Sequence, residues 1–440
     1  MDETEKIRVG IVGFGTVGAG VVECLQNNGA TIARRAGVRP VVQRIADLDI
    51  TSDRGVTVPD DVLTTDVGQV LTGEDIDIVV ELVGGTNVAK DCIMRALQHG
   101  KPVVTANKAL LAEHGEEIFE AAEASSADVF YEASVGGGIP IIKAMREGLI
   151  ANRFSEIVGI LNGTCNYILT KMEKEGATFE EVLYAAQAAG YAEADPSVDV
   201  DGHDAAHKAT ILSSLAYGEW FGLDPVYVEG IRGLELEDLR NAANLGYRIK
   251  LLAIIKQHDN DVQMRVHPAL INASSLVAHV NDVYNAVWIE GDTVGGTMYY
   301  GQGAGSRPTA SAVTADIVDV ALNFKLGSHG RIPAFRPHAG YARILPMEEV
   351  HSRYYLRLQV KNAPGVLARI STVLGEKQIS IASLTQEEAT HPSASLIILT
   401  HAAPEGNMQN ALQALHQLDE VLQKPVMLRI EDLSADPQAN

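Results

Sequence analysis

Ile7-Arg8-Val9-Gly10-Ile11-Val12-Gly13-Phe14-Gly15-Thr16-Val17-Gly18 decides the first fold assignment. A β-branched run ends in Gly-x-Gly-x-x-Gly, and apolar residues at helical spacing continue from Val17 to Asn27. In that strand–turn–helix setting the first glycine permits a tight turn and the second lets the backbone approach a pyrophosphate. The third lets helix and strand pack closely. Outward from this stretch, Val41–Ala46, Ile76–Leu82, Pro102–Thr105 and Asp128–Glu132 read as further strands, with Val88–Gln98 and Ala109–Ala124 as helices between them. Near-continuous apolar strands with helical crossovers indicate a parallel sheet covered on both faces, a doubly wound α/β domain. An acid closing the second strand would hold the ribose of NAD, and Asp47 is the candidate, 29 residues past Gly18 (47 − 18) rather than the usual ~20. Arg34, Arg35, Arg39 and Arg44 stand near enough in sequence to serve a 2′-phosphate instead, which leaves NAD or NADP open, with NAD favoured.

After Gly136-Gly137-Gly138 the pattern changes. Helical stretches at about Asn166–Glu175, Phe179–Ala189 and Gly202–Tyr217 precede strands at Tyr247–Gln257, Val262–Ile271, Ala286–Glu290 and Gly295–Gly301. Strands grouped after helices indicate an α+β domain with a mixed or antiparallel sheet. A helix at about Pro308–Leu322 would lead back to the first domain. The spacing then gives β-α-β-β-α-β, a small ferredoxin-like unit, from Tyr354 to Arg429. The expected division is a dinucleotide domain at 1–135, a substrate and dimerisation domain at 136–324, a linker with Pro333, Pro337 and Pro346 at 325–350, and a C-terminal module at 351–433.

The 440 residues carry 57 acids against 35 bases, a net charge of −22, which argues against nucleic acid as a partner because phosphate binding draws on clustered Lys and Arg. Cys24, Cys92 and Cys165 form no CxxC, so neither a disulfide framework nor a structural zinc site is indicated. No signal sequence and no membrane-length apolar run is present. A cytoplasmic location without membrane contact is the expectation.

Several motifs together resemble homoserine dehydrogenase. They are Glu81-Leu82-Val83-Gly84-Gly85-Thr86, Thr105-Ala106-Asn107-Lys108, Glu132-Ala133-Ser134-Val135-Gly136-Gly137-Gly138-Ile139-Pro140, Asn162-Gly163-Thr164-Cys165-Asn166-Tyr167, Gly190-Tyr191-Ala192-Glu193-Ala194-Asp195-Pro196, Asp199-Val200-Asp201-Gly202-His203-Asp204-Ala205-Ala206-His207-Lys208 and Gly303-Ala304-Gly305. They occur in the family's order from Ile7 to about Val320. The resemblance implies NAD(P)-dependent oxidation of L-homoserine to L-aspartate 4-semialdehyde and its reverse, in threonine, methionine and isoleucine biosynthesis.

Proton transfer at the hydroxyl needs a positioned acid or base. By the resemblance Lys208 fills that role, Lys108 is a second active-site lysine, and Asp204 and Glu193 bind substrate together with Thr164. Asp204 and Lys208 are four residues apart on one helix, a spacing that also describes an ordinary surface ion pair. The nucleotide would contact Gly13, Phe14, Gly15, Thr16, Val17, Gly18, Asp47, Thr86, Lys108 and Gly303. Glu132, Val135, Gly137 and Ile139 match the family's monovalent-cation site, whose oxygen ligands suit Na⁺ or K⁺. His203 and His207 have zinc-ligand spacing, but Asp204 stands where a zincin glutamate would and the sequence offers no third ligand.

Val360-Lys361-Asn362-Ala363-Pro364-Gly365-Val366-Leu367 joins a strand to a helix as in the ACT domain, a module that commonly binds amino acids at paired subunit interfaces. An amino-acid effector and a homodimer or homotetramer are what that resemblance implies. The nucleotide domain opens at residue 7, so a monofunctional chain is expected rather than a kinase fusion. Two other readings are a dehydrogenase for another small polar alcohol and a non-catalytic sensor. A sensor would have no need of both lysines.

Overall fold

The computed structural model describes residues 5–258, 260–331, 333–338, 340, 343–386 and 392–433. Residues 1–4 of the expected nucleotide domain, and 332, 339, 341 and 342 of the expected linker, lie outside them. Two compact units emerge. The first gathers 1–154, 204–224 and 283–340, and the second 155–203, 225–282 and 341–440.

The first unit opens with β1 (Glu5–Val12), α1 (Thr16–Ala36), β2 (Val38–Ala46), β3 (Leu63–Thr64), α2 (Gly68–Leu71), β4 (Ile78–Glu81), α3 (Asn87–Gln98), β5 (Val103–Thr105), α4 (Lys108–Ser125), β6 (Val129–Phe130) and α5 (Ile141–Lys143). All six strands are parallel, in the order β3-β2-β1-β4-β5-β6. That order reverses between β1 and β4, and the crevice beyond the strand ends at such a switch point is where doubly wound sheets bind ligands. Val9, Ile11, Ile45, Ile78, Val80 and Val104 are fully buried. Each contributes roughly 1.5–3 kcal/mol by leaving water.

Next come β7 (Phe154–Ile160), α6 (Gly163–Glu175), α7 (Phe179–Ala188), α8 (Ser197–Val200), α9 (His203–Tyr217), β8 (Tyr227–Val228), α10 (Leu236–Asn244), β9 (Tyr247–His258) and β10 (Asp261–Asn272). The antiparallel hairpin β11 (Tyr284–Gly291) and β12 (Gly295–Gln302) belongs to the first unit, as does α11 (Ser306–Leu326). The chain ends with β13 (Arg343–Ile344), β14 (His351–Lys361), α12 (Val366–Glu376), β15 (Ile381–Gln386), β16 (Ser393–Thr400), β17 (Ala403–Pro404), α13 (Glu405–His416) and β18 (Val426–Glu431).

Helix α11 packs along α1. A Cβ on Gly20 would lie 2.6 Å from Ser306 Oγ and 3.1 Å from Ala310 Cβ, so only glycine lets the helices approach this closely. Val313, Ile317, Val320 and Ala321 join Val21, Val22 and Leu25 in one core.

In the second unit the strands run β7-β9-β10-β18-β14-β16-β15. The ferredoxin-like module thus shares its sheet with the segment before it: β18 is parallel to β10, pairing Ala269 with Arg429, and antiparallel to β14. Buried ion pairs fasten this junction. Arg265 Nη2 lies 3.0 Å from Glu431 Oε2, Lys256 bridges Glu156 and Glu431, and Arg429 reaches Glu405 at 2.6 Å and Glu229 at 2.7 Å. Arg357 of β14 likewise grips Asp238 of α10 through Nε at 2.7 Å and Nη2 at 2.9 Å.

Candidate active site

The three glycines of the fingerprint differ in what surrounds them. Gly13 has φ +101°, and a Cβ there would sit 2.6 Å from the Leu82 carbonyl. A Cβ on Gly18 would sit 2.2 Å from the Gly13 carbonyl. A Cβ on Gly15 would meet nothing within 4 Å. The first and third glycines are therefore bound by the fold, while the second faces open space at the N-terminus of α1. Free amides and the positive end of the helix dipole suit an anion there. Phe14, Thr16 and Val17 complete the turn, and Ser306 Oγ donates to the Thr16 carbonyl at 2.9 Å, which sets the N-terminus of α11 beside that of α1.

Asp47 lies at the end of β2, but its carboxylate is turned to the glycine loop: Oδ2 accepts from Phe14 N–H at 2.5 Å and Oδ1 from Asp49 N–H at 2.8 Å. Arg34 and Arg35 lie in the last turn of α1, about 30 Å of helix from Gly15. Arg44 is engaged with Asp75, Gln69 and the Asp61 carbonyl. The arginine that does line the space beside Gly15 is Arg54, which sequence reasoning missed. It borders a cavity of about 370 Å³ with Gly15, Thr16, Gly20, Asp53 and Ser306, and its guanidinium is anchored on Asp49 at 3.1 Å. An isolated arginine in a loop carries no periodic signal that could have marked it.

Beyond β4 and β5, the fold gathers two lysines on one carboxylate. Lys108 opens α4 and its Nζ lies 2.5 Å from Asp204 Oδ1. Lys208 Nζ lies 2.7 Å from Asp204 Oδ2. Asp204 and Lys208 are buried, whereas the Lys108 side chain is 40% exposed. The Asp204–Lys208 pair is therefore no solvated surface bridge. Burial by itself would raise the Asp204 carboxyl, but Lys208 and then Lys108 overcome it and hold the group well below the usual carboxylate range. A charged carboxylate between two ammonium groups leaves an excess of positive charge, which favours negative charge developing on a nearby oxygen.

Asn107 caps α4 by accepting from Leu110 N–H at 3.1 Å. Thr86, at the start of α3, follows Gly85, whose carbonyl accepts from Asn107 Nδ2 at 2.7 Å.

The Glu132 carboxylate is buried at the N-terminus of α5, accepting from Ile142 N–H at 2.9 Å and Lys143 N–H at 2.7 Å. Val135 and Ile139 are buried beside the glycine turn, in which Ile139 N–H bonds the Gly136 carbonyl. Gly137 has φ +53°, and a Cβ on it would overlap the Gly303 carbonyl at 2.5 Å, so this turn and the Gly303 turn touch backbone to backbone. Among the described residues no group of three or more His, Cys, Asp or Glu is placed to hold a metal ion.

The second unit holds Thr164 and Glu193. Thr164 Oγ1 donates to the Tyr191 carbonyl at 2.9 Å, which ties the start of α6 to the loop carrying the exposed Glu193. Cys165 is buried, with its thiol on the Asp199 carbonyl at 3.2 Å, a packing role.

Comparison with known proteins fits this geometry. Residues 13–132 match the family described as homoserine dehydrogenase, NAD binding domain, residues 140–318 match homoserine dehydrogenase, and residues 354–420 match the ACT domain. A Pseudomonas aeruginosa protein named homoserine dehydrogenase is 47% identical over 437 residues, spanning 98% of this chain and 100% of its own length. The chain belongs to the homoserine dehydrogenase family. The Neisseria gonorrhoeae homoserine dehydrogenase is 45% identical over 433 residues, covering 98% of this chain and 99% of that one. The crystal structure of a homoserine dehydrogenase from Thiobacillus denitrificans superimposes with a TM-score of 0.91 at 47% identity, over 97% of this chain and 99% of that one. A hyperthermophilic archaeal homoserine dehydrogenase solved in complex with NADPH aligns with a TM-score of 0.61 at 30% identity, over 72% of this chain and 98% of its own. As a homoserine dehydrogenase, the chain interconverts L-homoserine and L-aspartate 4-semialdehyde with an NAD(P) coenzyme, a step of amino-acid biosynthesis. It carries an ACT domain. Among the described residues no helix is long and apolar enough to cross a membrane.

Proposed function

We propose that Lys208 is the proton-transferring group of the reaction and that Lys108 and Asp204 complete its catalytic set. The observation that carries this reading is the two-lysine clamp on one buried carboxylate, at 2.5 and 2.7 Å. The nicotinamide ring supplies or accepts the hydride. In the reductive direction Lys208 gives its proton to the carbonyl oxygen as that oxygen gains charge. In the oxidative direction it takes the hydroxyl proton back. An ammonium held by an ionised carboxylate is set to donate, so the arrangement as it stands suits reduction of the semialdehyde. Asp204 keeps both ammonium groups in place, and Lys108, at the mouth of the clamp, orients the polar oxygen.

The open face of Gly15 supports placing the pyrophosphate on the turn Gly13–Gly18, with Thr86 and Gly303 at the same edge. Asp47 and Arg54 offer one acceptor for ribose hydroxyls and one cation for a 2′-phosphate, so we read the site as open to NAD and NADP with Asp47 favouring NAD. The assignment of Glu193 and Thr164 to the substrate rests on the family motifs. Glu132, with the carbonyls of Val135, Gly137 and Ile139, would hold Na⁺ or K⁺, since one carboxylate among backbone oxygens is a donor set for a hard monovalent ion. That ion would fix the crossover between the nucleotide segment, 1–135, and the catalytic segment, 136–324. In the segment 351–433, the loop Lys361–Leu367 borders a cavity of about 220 Å³ with Gln386 and Leu396, a place for an amino acid such as threonine. Pairing of that module would give a homodimer or homotetramer. Cys24, Cys92 and Cys165 are widely separated and form no disulfide, which supports a cytoplasmic location.

Lys208→Ala tests the central assignment. It should abolish turnover of L-homoserine with either nucleotide while leaving nucleotide affinity near that of the parent. Near-normal kcat in this variant would remove Lys208 from the chemistry.

A further inference from the structure

Glu81 is the last residue of β4, fully buried, and the reaction as derived above gives it no task. Among the described residues no cation is paired with it, and burying such a carboxylate costs several kcal/mol, tolerated where its hydrogen bonds accomplish something. Burial pushes this carboxyl up, and its bonds to Thr105 and Val83 pull the other way. Glu81 Oε1 accepts from Val83 N–H at 2.7 Å and Oε2 accepts from the Thr105 hydroxyl at 2.6 Å. Thr105 Oγ1 accepts in turn from Asn107 N–H at 3.0 Å, and Asn107 Nδ2 donates to the Gly85 carbonyl at 2.7 Å. Gly85 returns along the chain to Val83. The bonds close a ring across the ends of β4 and β5. One side of the ring is the loop leading to Thr86, and the other is the residue pair that starts α4 and delivers Lys108 to Asp204.

We propose that Glu81 is a positioning residue for Lys108, fixing the N-terminus of α4 against the β4 loop so that the Lys108 ammonium reaches Asp204. This rests on the reading that Lys108 acts at the reacting centre. Both carboxylate oxygens meet a donor, so the role needs an acceptor at each end. A glutamine amide could still donate to the Thr105 hydroxyl, whereas methionine fills a similar volume with an acceptor at neither end. Glu81→Met therefore keeps the packing while opening the ring.

The test is single-turnover hydride transfer, readable however slow the variant, in Glu81→Met, Lys108→Ala and the double variant, with Thr105→Val as a second way to open the ring. A misplacement of this kind costs about 10- to 100-fold in rate. Glu81→Met and Thr105→Val should each slow transfer by that order, with the melting temperature of Glu81→Met close to the parent's. In the Lys108→Ala background the added Glu81→Met should slow transfer no further, because an effect exerted through Lys108 vanishes with it. Unchanged transfer in Glu81→Met, or an undiminished extra loss on top of Lys108→Ala, overturns the proposal. Unchanged transfer in Lys108→Ala alone would mean instead that the role given to Lys108 is wrong, and the proposal falls with it.

Discussion

Alanine at Gly15 and at Gly18 should fail in opposite ways, although both replace a glycine of the same turn. At Gly15 the backbone has φ −75°, open to any residue, and the new methyl meets no atom within 4 Å. Folding should not suffer. Restricting the unfolded chain stabilises by about 0.4–1 kcal/mol at a compatible site, which is a rise of about 1–4 °C. The methyl would nevertheless stand where a pyrophosphate has to approach the α1 amides. Losing one hydrogen bond to a charged group costs about 1.5–3 kcal/mol, or roughly 10- to 150-fold in the dissociation constant. At Gly18 the methyl would lie 2.2 Å from the Gly13 carbonyl, a backbone atom, so the turn itself must move. Overpacking of that kind costs about 1–3 kcal/mol or more, and a fall in melting temperature should accompany any loss of affinity. Calorimetric melting and titration with NADH and NADPH measure both quantities on both variants. Parent-like affinity in a well-folded Gly15→Ala would refute the pyrophosphate assignment.

Asp47→Ala should weaken NAD more than NADP, and it should also loosen the glycine loop by freeing Phe14 N–H; equal losses for the two nucleotides would take Asp47 out of coenzyme selection. Lys250 is buried against the Val280 carbonyl and Asn166, and burial, ahead of the neighbouring charges, lowers it from 10.5 to about 8. The folded state therefore binds its proton less tightly than the unfolded chain, so stability should rise with pH from about 8 to about 10.5, by up to ~3 kcal/mol from this group. In Lys250→Met the urea midpoint should change less across that window, and parallel pH curves for the two proteins would contradict the reasoning. Arg357→Met leaves Asp238 buried without its cation and should cost about 3–5 kcal/mol in denaturant unfolding, much of it recovered in Arg357→Met with Asp238→Asn; a single variant as stable as the parent would show that Asp238 is served otherwise.

The βα alternation around Gly13–Gly18 was legible because strand and helix periodicities are local, and the parallel order followed from the apolar strands between crossovers. Lys108, Asp204 and Lys208 could be named from motifs, yet only the fold shows one carboxylate between two lysines, since 96 residues separate Lys108 from Asp204 (204 − 108). Asp47 was named as a ribose partner from its place after β2; that its carboxylate also accepts from the Phe14 and Asp49 amides is a choice of rotamer that spacing does not encode. Glu81 stood inside a quoted motif without a role, because a buried carboxylate in an apolar strand looks in sequence like a strand-end acid. The insertion of β18 beside β10 left no trace in periodicity: the pairing spans 160 residues between Ala269 and Arg429 (429 − 269) and depends on shape and charge at the junction.

That shared strand determines what a shortened version of this enzyme would be like. Cutting the chain before β14 would strip β10 of a neighbour along Ala269–Ile271 and take Glu431 away from Lys256 and Arg265. What remained would carry a bare strand edge, open to pairing with other chains, above two buried cations with a missing counter-charge. Deleting the ACT module is therefore an act of unzipping rather than of trimming. A variant blind to the proposed effector is better sought by filling the cavity at Lys361–Leu367 than by shortening the chain.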